Sequence, residues 1–138
     1  MQDKALPISL LIMRLSIAFF LGMWASLKFH RPEWMVNVFK GRYGLDFITP
    51  DFGIYVGIAQ LAIVLMFAIG YKRTVFYGLM MAMHAVGVFG AVGGILNYTR
   101  YPNNLLLTAV PTLGALIALF LLRRHDLWTV DGQLGKKS

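Results

Sequence analysis

In residues 6–30, "LPISLLIMRLSIAFFLGMWASLKFH", Arg14 and Lys28 are the only lysine, arginine or acidic side chains. A helix needs about 20 apolar residues, at 1.5 Å each, to cross the ~30 Å hydrocarbon layer of a bilayer. Four stretches reach that length: about residues 5–29, 52–71, 74–96 and 105–122. Hydrophobic residues make up 58% of the 138-residue chain and charged ones 14%. A soluble domain carries about a quarter charged residues. The expected fold is therefore all-α, an integral membrane four-helix transmembrane bundle. At this length the chain is one membrane domain over residues 1–138, with a tail at 123–138. The first run is too long for a signal-peptide core and lacks a small-residue cleavage site, so it is expected to be a retained helix.

Thr49 before Pro50 reads as an N-cap followed by proline at the first helical position. Asn103 and Asn104 are candidate caps for the fourth run. "YKRT" is a short basic turn that makes runs two and three an antiparallel hairpin. Four crossings put both termini on the side of this turn. That side carries Lys4, Lys72, Arg73, Arg123, Arg124, Lys136 and Lys137, with Arg14 added if it reaches the surface. The other side carries Lys28, Arg31, Lys40, Arg42 and Arg100. The excess places both termini in the cytoplasm. In the first outer loop, Trp34, Met35, Val38 and Phe39 recur at helical spacing among charges, which predicts a short amphipathic interfacial helix.

The net charge is +7, but the basic residues mark the ends of apolar runs and form no stripe among stacking aromatics. The expected partner is the lipid bilayer with its anionic headgroups, and no nucleic acid. There is no cysteine, which excludes disulfides, thiolate metal sites and thioether-linked haem. Small residues offer close-approach faces for packing between helices. These are Ala18, Gly22 and Ser26 in the first run, Gly53 and Gly57 in the second, Gly87, Gly90 and Gly94 in the third, and Gly114 in the fourth.

Polar groups within apolar runs mark the candidate site residues. Arg14 lies roughly 13 Å along its helix, and Lys28 about 21 Å further on near the same face. Either both cations extend to opposite membrane surfaces and set the helix's depth, or Arg14 turns inward to an anion or a quinone carbonyl. No acidic residue lies inside any run, so the first choice is the simpler one. His84, mid-run, needs a hydrogen-bond partner, and Gln60 is the obvious one. Proton relay, quinone contact and haem ligation are the alternatives for His84. Met80 and His84, four apart, form a thin ligand set for copper(I). Arg100, between Tyr98 and Tyr101, belongs to an interfacial turn or to an outward-facing anion site. No nucleophile–base pair, paired carboxylates or phosphate loop is present, so no catalytic residues are assigned.

The arginine, apolar run and "GMWASLKF" of the first run resemble the DoxX family of small bacterial membrane proteins. So does "GIAQLAIVLMFAIGYKRT", where Gly57, Gln60 and Gly70 precede the basic turn. The family's usual glutamate is Gln60 here, which removes an ionisable group from that position. The resemblance implies a four-helix bundle in a bacterial inner membrane, with Arg14 and Lys28 at the family's basic positions. It also implies an accessory, non-catalytic role in a quinone-linked redox complex, with quinone as the one cofactor suggested. Partners would then be other membrane subunits or a second copy of the chain. A purely structural subunit and a binding protein for an anionic or lipid-like solute are the alternatives.

Overall fold

The computed structural model describes residues 3–135 and is all-helical over that range. Lys136 and Lys137, counted in the charge asymmetry, lie outside the described residues. Seven α-helices follow one another: α1 (Ala5–His30), α2 (Pro32–Tyr43), α3 (Pro50–Ile69), α4 (Arg73–Gly90), α5 (Val92–Leu96), α6 (Ala109–Leu121) and α7 (Val130–Leu134). A 3-10 segment at Asn103–Thr108 leads straight into α6. Helices α1, α3 and the continuous segment Asn103–Leu121 are long and apolar enough to cross a membrane. The chain is thus a small helical membrane protein. Its surface agrees: Ile12, Leu15, Phe19 and Met23 line one face of α1 and are 49–72% exposed, a pattern that suits lipid and not water.

The expected third crossing is interrupted. Helix α4 ends at Gly90 after 18 residues, and Ala91 separates it from the single short turn of α5. Gly90, Gly93 and Gly94 crowd this point, and glycine weakens a helix by about 1 kcal/mol each relative to alanine. The expected asparagine caps are also absent. Pro102 precedes the 3-10 segment without a side-chain cap, and Asn103 instead donates its amide to the Asn97 carbonyl at 3.2 Å. At α3 the local signals are realised. The Thr49 hydroxyl accepts from the Phe52 N–H at 3.4 Å, Pro50 begins the helix, and Gly70 ends it at φ 69°.

Helix α1 packs on α3, α3 on α4, α4 on α6, and α6 back on α1. Leu10, Ile17, Val64, Phe67, Tyr77, Met80, Leu116 and Leu119 form the buried core. The small residues contribute unequally. Ala18 is in the core and Gly22 approaches Val64 of α3, while the Ser26 hydroxyl bonds back to the Met23 carbonyl of its own helix. Gly53 makes room for the Met35 side chain of α2, and Gly57 for Phe29 and the Lys28 stem. Gly90 receives the Tyr43 ring and Gly94 receives Leu106. Gly87 and Gly114, expected to mediate packing, face open space.

The tail departs most from expectation. The expected tail at 123–138 folds back onto the helices, with Asp126 and Thr129 buried. The Asp131 carboxylate accepts from the backbone N–H groups of Lys72 and Arg73, at 2.9 and 2.8 Å. A carboxylate there satisfies two orphan donors and the positive end of the α4 dipole. Arg73 in turn donates to the carbonyls of Arg123 and Asp126 at 2.8 and 2.6 Å. The tail is therefore a folded cap over the end of the bundle that carries the Gly70–Lys72 turn.

Candidate functional site

Two polar sites lie at opposite ends of the helices. At the tail end, Arg14 is 2% exposed and Asp126 fully buried. Their side chains form a close ion pair between α1 and the tail. Three further bonds hold the guanidinium. Nε donates to the Ala68 carbonyl at 3.0 Å, Nη1 to the Tyr77 hydroxyl at 3.2 Å, and Nη2 to the Trp128 carbonyl at 2.6 Å. The Tyr77 hydroxyl in turn donates to Asp126 Oδ2 at 2.6 Å. Arg14 is therefore turned into the protein, with four of its five N–H groups given to internal acceptors. The acid absent from the apolar runs is supplied by the chain beyond them. A buried arginine with a fork of satisfied donors is a structural tie, costly to break on one side only.

At the other end, α1, α2, α3, α4 and the 3-10 segment enclose a cavity of about 240 Å³. Trp34, Val38 and Arg42 of α2, one helical turn apart, form its lid-side wall. The Trp24 and Trp34 rings meet at 5.8 Å and join α1 to α2. Lys28, Gln60 and His84 reach it from three different helices. These three sequence-predicted residues are thus gathered at one place, while Arg14 lies at the opposite end and Arg100 in an exposed turn outside the cavity lining.

His84 does not bond to Gln60. Its Nε2 is 2.8 Å from the Ala109 carbonyl. A carbonyl only accepts, so Nε2 carries the proton, and in the neutral ring Nδ1 is left as an acceptor. This bond also ties α4 to the start of α6. Met80, the other half of the copper reading, is fully buried among Tyr77, Phe67 and Leu119 in the apolar core. Among the described residues, no group of three or more His, Cys, Asp or Glu side chains is placed to hold a metal ion.

Sequence reasoning missed Arg42, Trp24 and Trp34 as wall residues. The signal was present in "RPEWMVNVFKGRYG", where Trp34, Val38 and Arg42 follow an i, i+4, i+8 rhythm. Neither Lys28 nor Arg42 has a hydrogen-bond or ion-pair partner among the described residues. The cavity wall is otherwise mostly apolar and aromatic and includes no aspartate or glutamate. Such a chamber can take an apolar body and orient a polar head, the usual design of a small-molecule pocket. Compared with family models, curated proteins and solved structures, the chain matches none.

Proposed function

We propose that this chain is a non-catalytic membrane protein that holds a lipid-like amphiphile in the cavity between α1, α2, α3 and α4. The cavity carries the reading, because it joins tryptophan walls to Lys28, Gln60 and His84 on three converging helices. In this reading four segments cross the bilayer, α4 with α5 completing the set, and α2 lies in the outer interface. Both termini face the cytoplasm of a bacterial cell. The resemblance to DoxX proteins adds the setting of an accessory subunit in a quinone-linked redox complex. A quinone ring matches the aromatic walls, and its carbonyls match the donors of Lys28 and Gln60.

Gentle solubilisation of the tagged protein from its own membranes, followed by lipid extraction, tests the role. Co-purifying redox subunits and a stoichiometric lipophile are expected; a particle that migrates alone with an empty cavity overturns it. The crossing of α4 is tested separately, since the chain has no cysteine. Cysteines placed at Lys72 and Tyr98 are expected to react with impermeant reagent from opposite sides. Reaction from the same side would remove α4 from the membrane-crossing set.

A further inference from the structure

Lys28 is half-buried in a wall of tryptophan and aliphatic side chains and has no counter-ion among the described residues. Arg42, one residue before the Tyr43 ring that covers Gly90, adds a second cation at the exposed edge of the same cavity. Elsewhere in the molecule the fold treats buried or half-buried charge differently. Arg14 has its Asp126, and Arg73 has Asp131 together with two carbonyls. A cation held against apolar walls loses hydration, and an anion brought to it recovers that loss. An apolar chamber with a half-buried unmatched lysine, an exposed arginine at its edge and no acid in its lining is complementary to one class of occupant.

We infer that the cavity binds a single-chain amphiphile with an anionic oxygen-acid head, the head between Lys28 and Arg42 and the chain against Trp24 and Trp34. This deepens the proposed function and rests on it, replacing a general lipid-like ligand by a charged one. At about 240 Å³ the chamber is below the roughly 300–1,000 Å³ of sites that enclose a whole drug-sized ligand. It therefore holds the head and the first carbons, while the rest of the chain continues along the apolar surface of the helices. His84, whose Nε2 is held by the Ala109 carbonyl, completes the polar part of the lining.

The tryptophans supply the test. Trp24 and Trp34 line the cavity, and Trp128 lies in the tail at the other end. Protein in zwitterionic nanodiscs is titrated with a brominated long-chain fatty acid at about pH 9, far above the ordinary carboxylate pKa of ~4. The matching brominated methyl ester, the same chain as a phosphate monoester, and inorganic phosphate are run alongside. Saturable quenching by the acid is expected, reversed by unbrominated acid and at least about tenfold tighter than for the ester, a difference of ~1.4 kcal/mol. Lys28→Gln with Arg42→Gln is expected to erase that preference, and Trp24→Phe with Trp34→Phe to erase the saturable signal.

Tighter binding of the phosphate monoester than of the carboxylate assigns a phospholipid-like head within the same class. Inorganic phosphate that displaces either chain as well as the free acid does overturns the amphiphile in favour of a simple anion. An ester that binds as tightly as the acid overturns the charged head but leaves the lipid cavity standing. Absence of saturable quenching by every chain overturns both. If the double glutamine variant does not fold, the acid-to-ester ratio of the native chain decides alone.

Discussion

The two ends of this bundle handle positive charge in opposite ways. At the tail end, Arg14 is fully buried and its donors meet an acid, a hydroxyl and two carbonyls. At the α2 end, Lys28 and Arg42 face a cavity with no partner from the described residues. The difference separates a charge that holds the fold from charges that the fold does not use. A buried cation satisfied from within is part of the architecture, whereas the half-buried Lys28 and the exposed Arg42 take no part in holding the helices together.

The largest effect should come from breaking the tie on one side. Asp126→Ala leaves Arg14 buried and unpaired, and should cost about 3–5 kcal/mol of stability. Thermal unfolding in mild detergent reads this directly, and Lys28→Gln measured beside it should change stability by under about 0.5 kcal/mol. Equal losses would abolish the contrast between the two ends. Next, Arg14→Met combined with Asp126→Leu should recover most of that loss, because an apolar pair needs no compensation in a buried site. A double variant as weak as the single one would mean that the backbone bonds to Ala68 and Trp128 dominate.

Gly70→Ala should follow at about 1–3 kcal/mol, the cost of a non-glycine residue in the left-handed region. Its new methyl also runs into the side chain of Thr129, so protease resistance of the tail should fall with it. The smallest effect on stability belongs to Gly90→Ala, at about 0.5 kcal/mol or less. The methyl would meet only the Tyr43 ring, which can swing aside. Since Tyr43 belongs to the cavity wall, ligand affinity should drop several-fold while the melting temperature holds.

Much of the fold was written in local signals. Hydrophobic length marks α1 and α3, Thr49–Pro50 marks a start, and Gly70 marks a stop. Run three is less legible, because glycines at 90, 93 and 94 divide a segment that hydropathy alone joins. The cavity was half legible. Lys28, Gln60 and His84 stand out as polar groups in apolar runs, but Arg42 and Trp34 looked like ordinary interfacial residues. The partner of Arg14 was hidden for another reason. The apolar runs hold no acid, and Asp126 lies just beyond them, in "RRHDLWTV". A lone carboxylate among aromatic and β-branched neighbours was the available clue that this segment folds back.

Arg14 and Asp126 are 112 residues apart, and that separation has a consequence for biogenesis. Synthesis proceeds at about 5–20 residues per second, with N-terminal elements emerging first. Helix α1 must therefore enter the bilayer seconds before its counter-ion has been made. An arginine in mid-helix opposes insertion by about 2.5–3.5 kcal/mol, which the flanking leucine, isoleucine and phenylalanine must outweigh unaided. With 26 residues, α1 is the longest helix among the described residues. Its length beyond the ~20 residues that span the hydrocarbon layer adds apolar turns that offset this cost.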